Sequence, residues 1–500
     1  MSNLLMLWGG LKTVFSLSNL VIVIIGSLVG IIVGAVPGIG SLSACALLLP
    51  ITYSFSPTSA ILLLASLYYS TMFGGCYSAI LLNIPGDSPA VMTALDGYPL
   101  ARSGKAGKAL MTANFSSFLG GLIGMLILTF SVSWLARVGL NFGNAEMTTL
   151  LLVALMSISW LIGDDPIKGL VSTLLGALIA CLGMDPLYGT ARLNFGNISL
   201  LGGIQFPALV IGAVGFSQVI HLVTVKNNYN INYDDLTFKK SLLMGSELKR
   251  VLPVVVRSGI LGTFIGVLPG AGATTSAFLN YAIQKKNFKN VPIPYGEGAI
   301  EGISACEAAN NSAAAGAFAP LLALGIPGSG TGTVLLGGLL MWGLQPGPLL
   351  FTTNPDFAWA CIASLFLANI ISLFCGTVLM PLMSRVITIP NKILVPVIAS
   401  ICIAGSFAAT ESMFGVITMF IAGIICYVID KHGYPLAPLL LAFVLVPLFE
   451  KYMRRAFATT AGDPSVFWAS PICKVCLIVF VFLLVAPVIK KNMQKKKQSQ

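Results

Sequence analysis

"GIIVGAVPGIG" runs from Gly30 to Gly40, and "GTFIGVLPGAG" from Gly262 to Gly272. Both spell Gly-x-x-x-Gly-x-x-Pro-Gly-x-Gly, at an offset of 232 residues. Each ends a strongly apolar run with residues that interrupt helices. In lipid an unpaired backbone amide or carbonyl is costly, so irregular backbone survives only inside protein or beside a polar cavity. Two such breaks half a chain apart point to a site built from discontinuous helices, as in many secondary transporters.

The surroundings of these breaks are a membrane protein's. The chain has 500 residues, 56% of them hydrophobic and 9% charged, against about 25% charged in soluble domains. So few charges cannot cover a water-facing surface. Hydropathy predicts an all-α polytopic membrane protein with about 10–12 transmembrane helices plus discontinuous or re-entrant ones. The net charge of +11 comes from short loops and the tail "KKNMQKKKQ" (Lys490 to Gln498), which mark cytoplasmic ends rather than nucleic-acid binding. Ten cysteines lie mostly in apolar runs and imply no disulfide framework. Cys473 and Cys476 form Cys-x-x-Cys within such a run, with no histidine near, so no metal site is expected. The amino terminus carries Leu4, Leu5, Leu7, Trp8 and Leu11, the pattern of a short interfacial helix.

A second motif repeats as well. "NIPGDS" (Asn83 to Ser88) is echoed by "GIPGSG" (Gly325 to Gly330), at an offset of 242 residues. The chain therefore reads as a first repeat over 1–225, a cytoplasmic polar linker over 226–250, a second repeat over 251–455, a final transmembrane helix over 466–489 and a basic tail over 490–500. Loop charges relate the halves. Arg102, Lys105 and Lys108 follow the first Ile-Pro-Gly, and the matching stretch of the second half has no base. Lys285, Lys286 and Lys289 follow the second Pro-Gly-x-Gly, and their counterpart "ITYSFSPTS" has none. Matching loops on opposite sides are the mark of two inverted-topology repeats. Lys451, Arg454 and Arg455 run against this assignment. Helices are expected over 19–36, 57–82, 108–136, 145–163, 166–184 and 205–225, then 250–268, 272–284, 296–325, 330–344, 356–385, 391–408, 411–430 and 435–449.

Small hydroxyl and amide side chains gather at the breaks, where new helix starts attract anions. The candidate substrate- and ion-binding residues are Pro37, Gly38, Gly40, Ser41 and Ser43 at the first break. At the second they are Asn83, Pro85, Gly86, Asp87 and Ser88. At the third they are Pro269, Gly270, Gly272, Thr274, Thr275 and Ser276, with Asn280 beyond. At the fourth they are Gly328, Ser329 and Thr331, then Thr333, and Asn310, Asn311 and Ser312 lie one helix upstream. No Arg or Lys falls within the four breaks, so a carboxylate would be held by amides and hydroxyls. Gly30 and Gly34 alone read as packing glycines. Glu307 adjoins the two asparagines and is a candidate for ion coupling or for a structural role. Glu297 and Glu301 fit a cytoplasmic helix end, and Arg257 is expected to snorkel or to pair with a carboxylate. Asp96 is expected to cap a helix or order the basic loop after it, and Asp164 and Asp165 to cap the helix at Pro166.

The stretches "VGAVPGIG", "NIPGDSPAVMTALDGYPLARSGKAGKAL" and "EGISACEAANNSAAAGAFAPLLALGIPGSGTGTVLLGGL" resemble the large membrane subunit of tripartite tricarboxylate transporters, over nearly the whole chain. That resemblance implies a subunit of the bacterial inner membrane that imports a carboxylate such as citrate, driven by an ion gradient. It also implies a small partner membrane subunit and an extracytoplasmic solute-binding protein that delivers the substrate. No cofactor is implied beyond Na+ or H+ as the coupling ion. A stand-alone carboxylate carrier is the alternative. A channel fits repeated breaks less well. An intramembrane enzyme would need acid–base or nucleophilic groups for which two histidines, His221 and His432, are a poor start.

Overall fold

The structure is a computed structural model that describes residues 3–36, 38–161, 165–185, 188–224, 236, 241–270, 272–386 and 389–498. It is helical almost throughout. Among the described residues nine helices are long and apolar enough to span a membrane, with shorter apolar helices beside them. Two of the shorter apolar helices, Ser41–Ser54 and Gly330–Met341, follow the first and fourth breaks. The chain is a multi-pass membrane protein.

Two compact units divide the chain: Met1–Ala136 with Pro207–Tyr427, and Arg137–Phe206 with Val428–Gln500. Each takes segments from both sequence halves. The first unit begins with α1 (Asn3–Val14), α2 (Leu17–Ala35), α3 (Ser41–Leu48), α4 (Pro57–Leu82), α5 (Val91–Leu100) and α6 (Ala106–Gly139, whose last turn passes into the second unit). The helices α7 (Asn144–Leu161) and α8 (Pro166–Ala180) belong to the second unit. The chain returns to the first unit with α9 (Phe206–Thr224), α10 (Gly245–Val267), α11 (Gly272–Asn287), α12 (Ile300–Gly316), α13 (Phe318–Leu324) and α14 (Gly330–Met341). It continues through α15 (Pro355–Thr377), α16 (Met380–Val386), α17 (Asn391–Thr410) and α18 (Met413–Lys431). The helices α19 (Leu436–Thr459) and α20 (Pro471–Gln498) complete the second unit.

Local chemistry sets the ends of α4. Ser56 caps it by accepting the Ser59 amide at 3.2 Å, Pro57 takes the first turn, and Asn83 ends it in the left-handed conformation. It is apolar all round and is buried for most of its length, as a central helix must be. The helix α1 exists as expected, and its inner face is covered: Val14 is fully buried against Val23, Leu62, Ala360 and Ala363.

Backbone-to-backbone packing dominates the first unit, and it recurs. A β-carbon on Gly30 of α2 would lie 2.6 Å from the Leu67 carbonyl oxygen of α4, and one on Gly262 of α10 would lie 2.6 Å from the Ala309 carbonyl oxygen of α12. One turn on, Gly34 abuts the Thr71 carbonyl and Gly266 the Ala313 carbonyl. In reverse, Gly74 abuts the Ile31 carbonyl and Gly316 the Thr263 carbonyl. Every partner in the second set stands 232 or 242 residues after its equivalent in the first. The motif glycines thus let α2 lie on α4, and α10 on α12, with nothing between their main chains.

Several boundaries differ from those expected. The helix expected over 296–325 starts at Ile300 and divides at Ala317 into α12 and α13. That over 356–385 divides into α15 and α16. The helix α10 begins at Gly245, inside the expected linker, with Glu247 accepting the Met244 amide at 2.7 Å. Linker residues 226–235 and 237–240 lie outside the described residues, as does Asp164. Asp165 does cap α8, accepting the Ile167 amide at 2.9 Å.

In the second unit α8 packs on α19, with Gly176 against the Leu439 carbonyl. The helix expected over 166–184 stops at Ala180, and a short antiparallel pair follows, Gly183–Met184 with Ala191–Arg192. Arg192 bonds Asp185 and reaches Glu450 on α19 at 2.8 Å, and Arg454 reaches Asp185 at 3.0 Å and Glu450 at 2.5 Å. The hydrogen bonds to Glu450 and then Asp185 raise the Arg192 pKa, so its charge is permanent. The helix α19 runs ten residues past the expected end, and Glu450 and Arg454 of this cluster stand on the added turns. Arg454, which opposed the loop-charge assignment, is therefore committed to two carboxylates.

Candidate functional site

The left-handed residues reveal how each break turns. Gly38 and Gly270 have φ of 83° and 81°. At the later breaks Asn83 and Gly325 end α4 and α13 with φ of 59° and 71°. In each half the two breaks then meet. Asp87 caps the turn before α5, accepting the Ser88 amide at 2.8 Å on Oδ1, and its Oδ2 accepts the Ser41 amide at 2.9 Å. Ser329 caps α14, accepting the Gly332 amide at 3.1 Å. A β-carbon on Gly40 would lie 2.7 Å from Asp87 Oδ1, and one on Gly272 would lie 3.5 Å from Ser329 Cβ. Gly86 abuts the Gly34 carbonyl oxygen, and Gly328 the Gly266 carbonyl oxygen.

The halves also meet each other. Ser41 Oγ lies 2.8 Å from Thr331 Oγ1, both buried. Tyr68 in the middle of α4 reaches Ser329 Oγ at 3.3 Å. The helix α3 packs on α14, and α11 on the turn Ser88–Ala90. The first break is therefore joined directly to the second and the fourth, and the third lies against the fourth. Of the residues singled out, Ser43, Ser276, Asn310, Asn311, Ser312 and Thr333 are buried. Thr274 and Thr275 are half-buried at the start of α11, as Pro269 is before it, and Pro85 is half-buried before Asp87. Asn83 and Ser88 are exposed. Pro37 lies outside the described residues.

Glu307 is fully buried. Its carboxylate accepts the Thr93 hydroxyl at 2.5 Å and the Ser117 hydroxyl at 2.9 Å. Among the described residues it forms no ion pair. Asn311 donates Nδ2 to the Glu307 carbonyl at 3.2 Å, and Asn280 donates Nδ2 to the Ser276 carbonyl at 2.9 Å. Ser276 in turn donates to the Ala309 carbonyl at 3.0 Å, tying α11 to α12.

Asp96 does more than the sequence leads one to expect. It is fully buried, and its Oδ1 accepts the amides of Gly296, Gly298 and Ala299 at 2.7, 3.1 and 2.9 Å. A carboxylate from the first half thus receives the backbone leading into α12 of the second. Beside it, a cavity of about 250 Å³ is lined by Lys105, Lys108, Glu247, Arg250 and Glu301. Lys108 pairs with Glu247 at 2.8 Å and Arg250 with Glu301 at 3.0 Å. Glu301 stands in the first turn of α12, buried and paired, while Glu297 before it is exposed. Arg257 finds an amide instead of a carboxylate: it donates to Gln284 Oε1 and lies 4.3 Å from the Phe288 ring centroid.

Sequence reasoning misses Thr93, Ser117, Tyr68 and Gln218. Gln218 stands against Gly38, with its Nε2 2.9 Å from where a β-carbon there would sit. Thr93 lies within the quoted motif. Nothing local marks the other three, since a hydroxyl or amide in an apolar helix is ordinarily spent on its own backbone.

Residues 20–441 match the Tripartite tricarboxylate transporter TctA family. The chain belongs to that family. All four breaks, Asp96 and Glu307 lie inside the matched TctA region. A relative in Agrobacterium vitis, described as an uncharacterized 52.8 kDa protein in the TAR-I ttuC' 3' region, is 35% identical over 94% of this chain and 93% of its own length. A second from that organism, an uncharacterized protein in the TAR-II ttuC' 3' region, is 38% identical over 46% of this chain and 96% of its own length. No solved structure matches this TctA-family chain.

Proposed function

We propose that the chain is the permease subunit of a tripartite transporter that imports a tricarboxylate or another carboxylate, citrate being one candidate. An extracytoplasmic binding protein delivers the substrate, a small membrane subunit completes the assembly, and a Na+ or H+ gradient drives uptake. The protein sits in the bacterial inner membrane with its basic tail in the cytoplasm. Its two halves are inverted repeats, which the unmatched basic loops support.

The observation that carries this is the junction of Ser41 with both Asp87 and Thr331, where helix starts from both halves come together. Helix starts offer amides and positive dipole ends to a carboxylate. The hydroxyls of Ser41, Thr331 and Ser329 and the Gln218 amide add donors, and no lysine or arginine is needed within the breaks. Asp87 is the nearest negative charge, and it is already occupied by two amides.

The test is uptake of radiolabelled citrate and related di- and tricarboxylates into proteoliposomes holding both membrane subunits. Uptake should need the binding protein and an imposed ion gradient. Equal flux by this chain alone, without binding protein, would count for a stand-alone carrier. No flux of any carboxylate with all three components and either gradient would refute the transport reading.

A further inference from the structure

The helices α11 and α12 carry three fully or almost fully buried amide oxygens without hydrogen-bond partners, Oδ1 of Asn280, Asn310 and Asn311. For two of them the orientation of the amide is settled by what its nitrogen does. Asn280 and Asn311 each donate Nδ2 to a carbonyl, of Ser276 and Glu307, and a carbonyl can only accept. What is left over is therefore oxygen. A buried acceptor without a donor is costly, and this helix pair carries three.

A negative charge stands among them. Glu307 and Asn311 lie on one face of α12, one turn apart, and the Asn311 side chain folds back over the Glu307 turn to reach its carbonyl. Both Glu307 oxygens already accept hydroxyl hydrogen bonds, from Thr93 on α5 and Ser117 on α6. That arrangement satisfies the ionised carboxylate. The thiols of Cys76 on α4 and Cys306 on α12 feel its charge, and among the described residues no cationic side chain pairs with it. An ionised carboxylate buried without a countercharge is costlier still.

The three amide oxygens are acceptors and Glu307 is an anion. The group that would complete the set is a cation bound by hard oxygen ligands. Soft transition metals prefer Cys and His, and among the described residues no cluster of three His, Cys, Asp or Glu exists. A single carboxylate balances a single positive charge. We propose that Glu307 and Asn311, with the neighbouring amide oxygens of Asn280 and Asn310, bind one dehydrated sodium ion. The site deepens the ion-coupled reading above. It extends the sequence-based set by the hydroxyl supports Thr93 and Ser117, and it assigns Glu307 to the ion rather than to a structural role.

Sodium binding can be measured with neither substrate nor partner subunits, so its failure is separable from failure of the transport reading. Purified full-length chain is titrated with ²²Na+ at constant ionic strength, choline replacing sodium, and its thermal stability is followed in both salts. Saturable binding and a stability gain specific to sodium are expected. Glu307→Gln and Asn311→Ala should each weaken binding by at least about tenfold, the usual cost of disturbing a metal's ligand set. Asn311→Asp, which keeps an oxygen at that position, should restore binding. Ser117→Ala, which leaves the charge in place, should weaken it less than Glu307→Gln. Absence of saturable sodium binding to the native chain would overturn the site. So would unchanged binding in Glu307→Gln and Asn311→Ala chains that melt normally in choline, or a stability that follows pH identically in sodium and choline.

Discussion

Ser41 and Thr331 lie 290 residues apart in sequence and share a buried hydroxyl–hydroxyl hydrogen bond of 2.8 Å. One opens α3 after the first break, and the other stands in the first turn of α14 after the fourth. The two hydroxyls are thus a direct link between breaks from opposite halves of the chain. Replacing either alone, as Ser41→Ala or Thr331→Val, should cost about 1 kcal/mol of stability, and the double variant should cost less than the sum. Carboxylate uptake should fall about tenfold or more in each if the pair also faces substrate, since about 1.4 kcal/mol of lost transition-state interaction is tenfold in rate. Thermal melting and initial uptake rates on the same preparations separate the two effects.

Gly34 and Gly266 hold equivalent places, each against a carbonyl of the partner helix. Valine at either should force α2 from α4, or α10 from α12, and destabilise the chain by about 1–3 kcal/mol or more. The two variants should resemble each other in yield and melting temperature. Gly9, inside α1 with open space around it, is the control: Gly9→Ala should not lower the melting temperature, and the better helix propensity of alanine should raise it slightly.

Asp96 holds three amides on one oxygen. Asp96→Ala leaves three buried or half-buried donors without that acceptor, and stability should drop by on the order of 3 kcal/mol. Asp96→Asn keeps an acceptor oxygen and should lose less. Hydrogen exchange at Gly296, Gly298 and Ala299 should rise in both, and more in the alanine variant.

Asp185 neutralises two guanidinium groups at once, those of Arg192 and Arg454. Asp185→Ala leaves both beside Glu450 alone. The arginines are about a quarter exposed, so water recovers part of the loss, and a cost of about 1–3 kcal/mol is expected, below that of a fully buried pair. Limited proteolysis near residues 181–205 should quicken in the variant, and high salt should narrow its gap from the native chain.

Local chemistry is the part of this fold that its sequence displays. Pro57 at the first turn and Asn83 past the last place α4 to the residue, and the two break motifs mark where α3 and α11 begin. The recurring offset of 232 then 242 residues extends from letters to contacts, because the glycines are needed where main chains touch. Long-range partnerships are the part that stays hidden. Asp96 looks like a loop or cap residue until the amides of Gly296, Gly298 and Ala299 are beside it. Arg257 takes Gln284, and Arg250 takes Glu301, by tertiary choice alone. The division at Ala317 escapes notice because "AAAGAFAPLLAL" is rich in helix formers and only Pro320 interrupts it.

Main chain resting on main chain has a mechanical consequence. Where Gly30 and Gly34 meet the Leu67 and Thr71 carbonyls, and Gly262 and Gly266 meet those of Ala309 and Ala313, there are no side chains to swing aside. Each pair of rods is welded along two turns and must travel as a single stiff piece. The Ser41–Thr331 contact, by contrast, is a single hydroxyl pair with no main chain pressed on main chain.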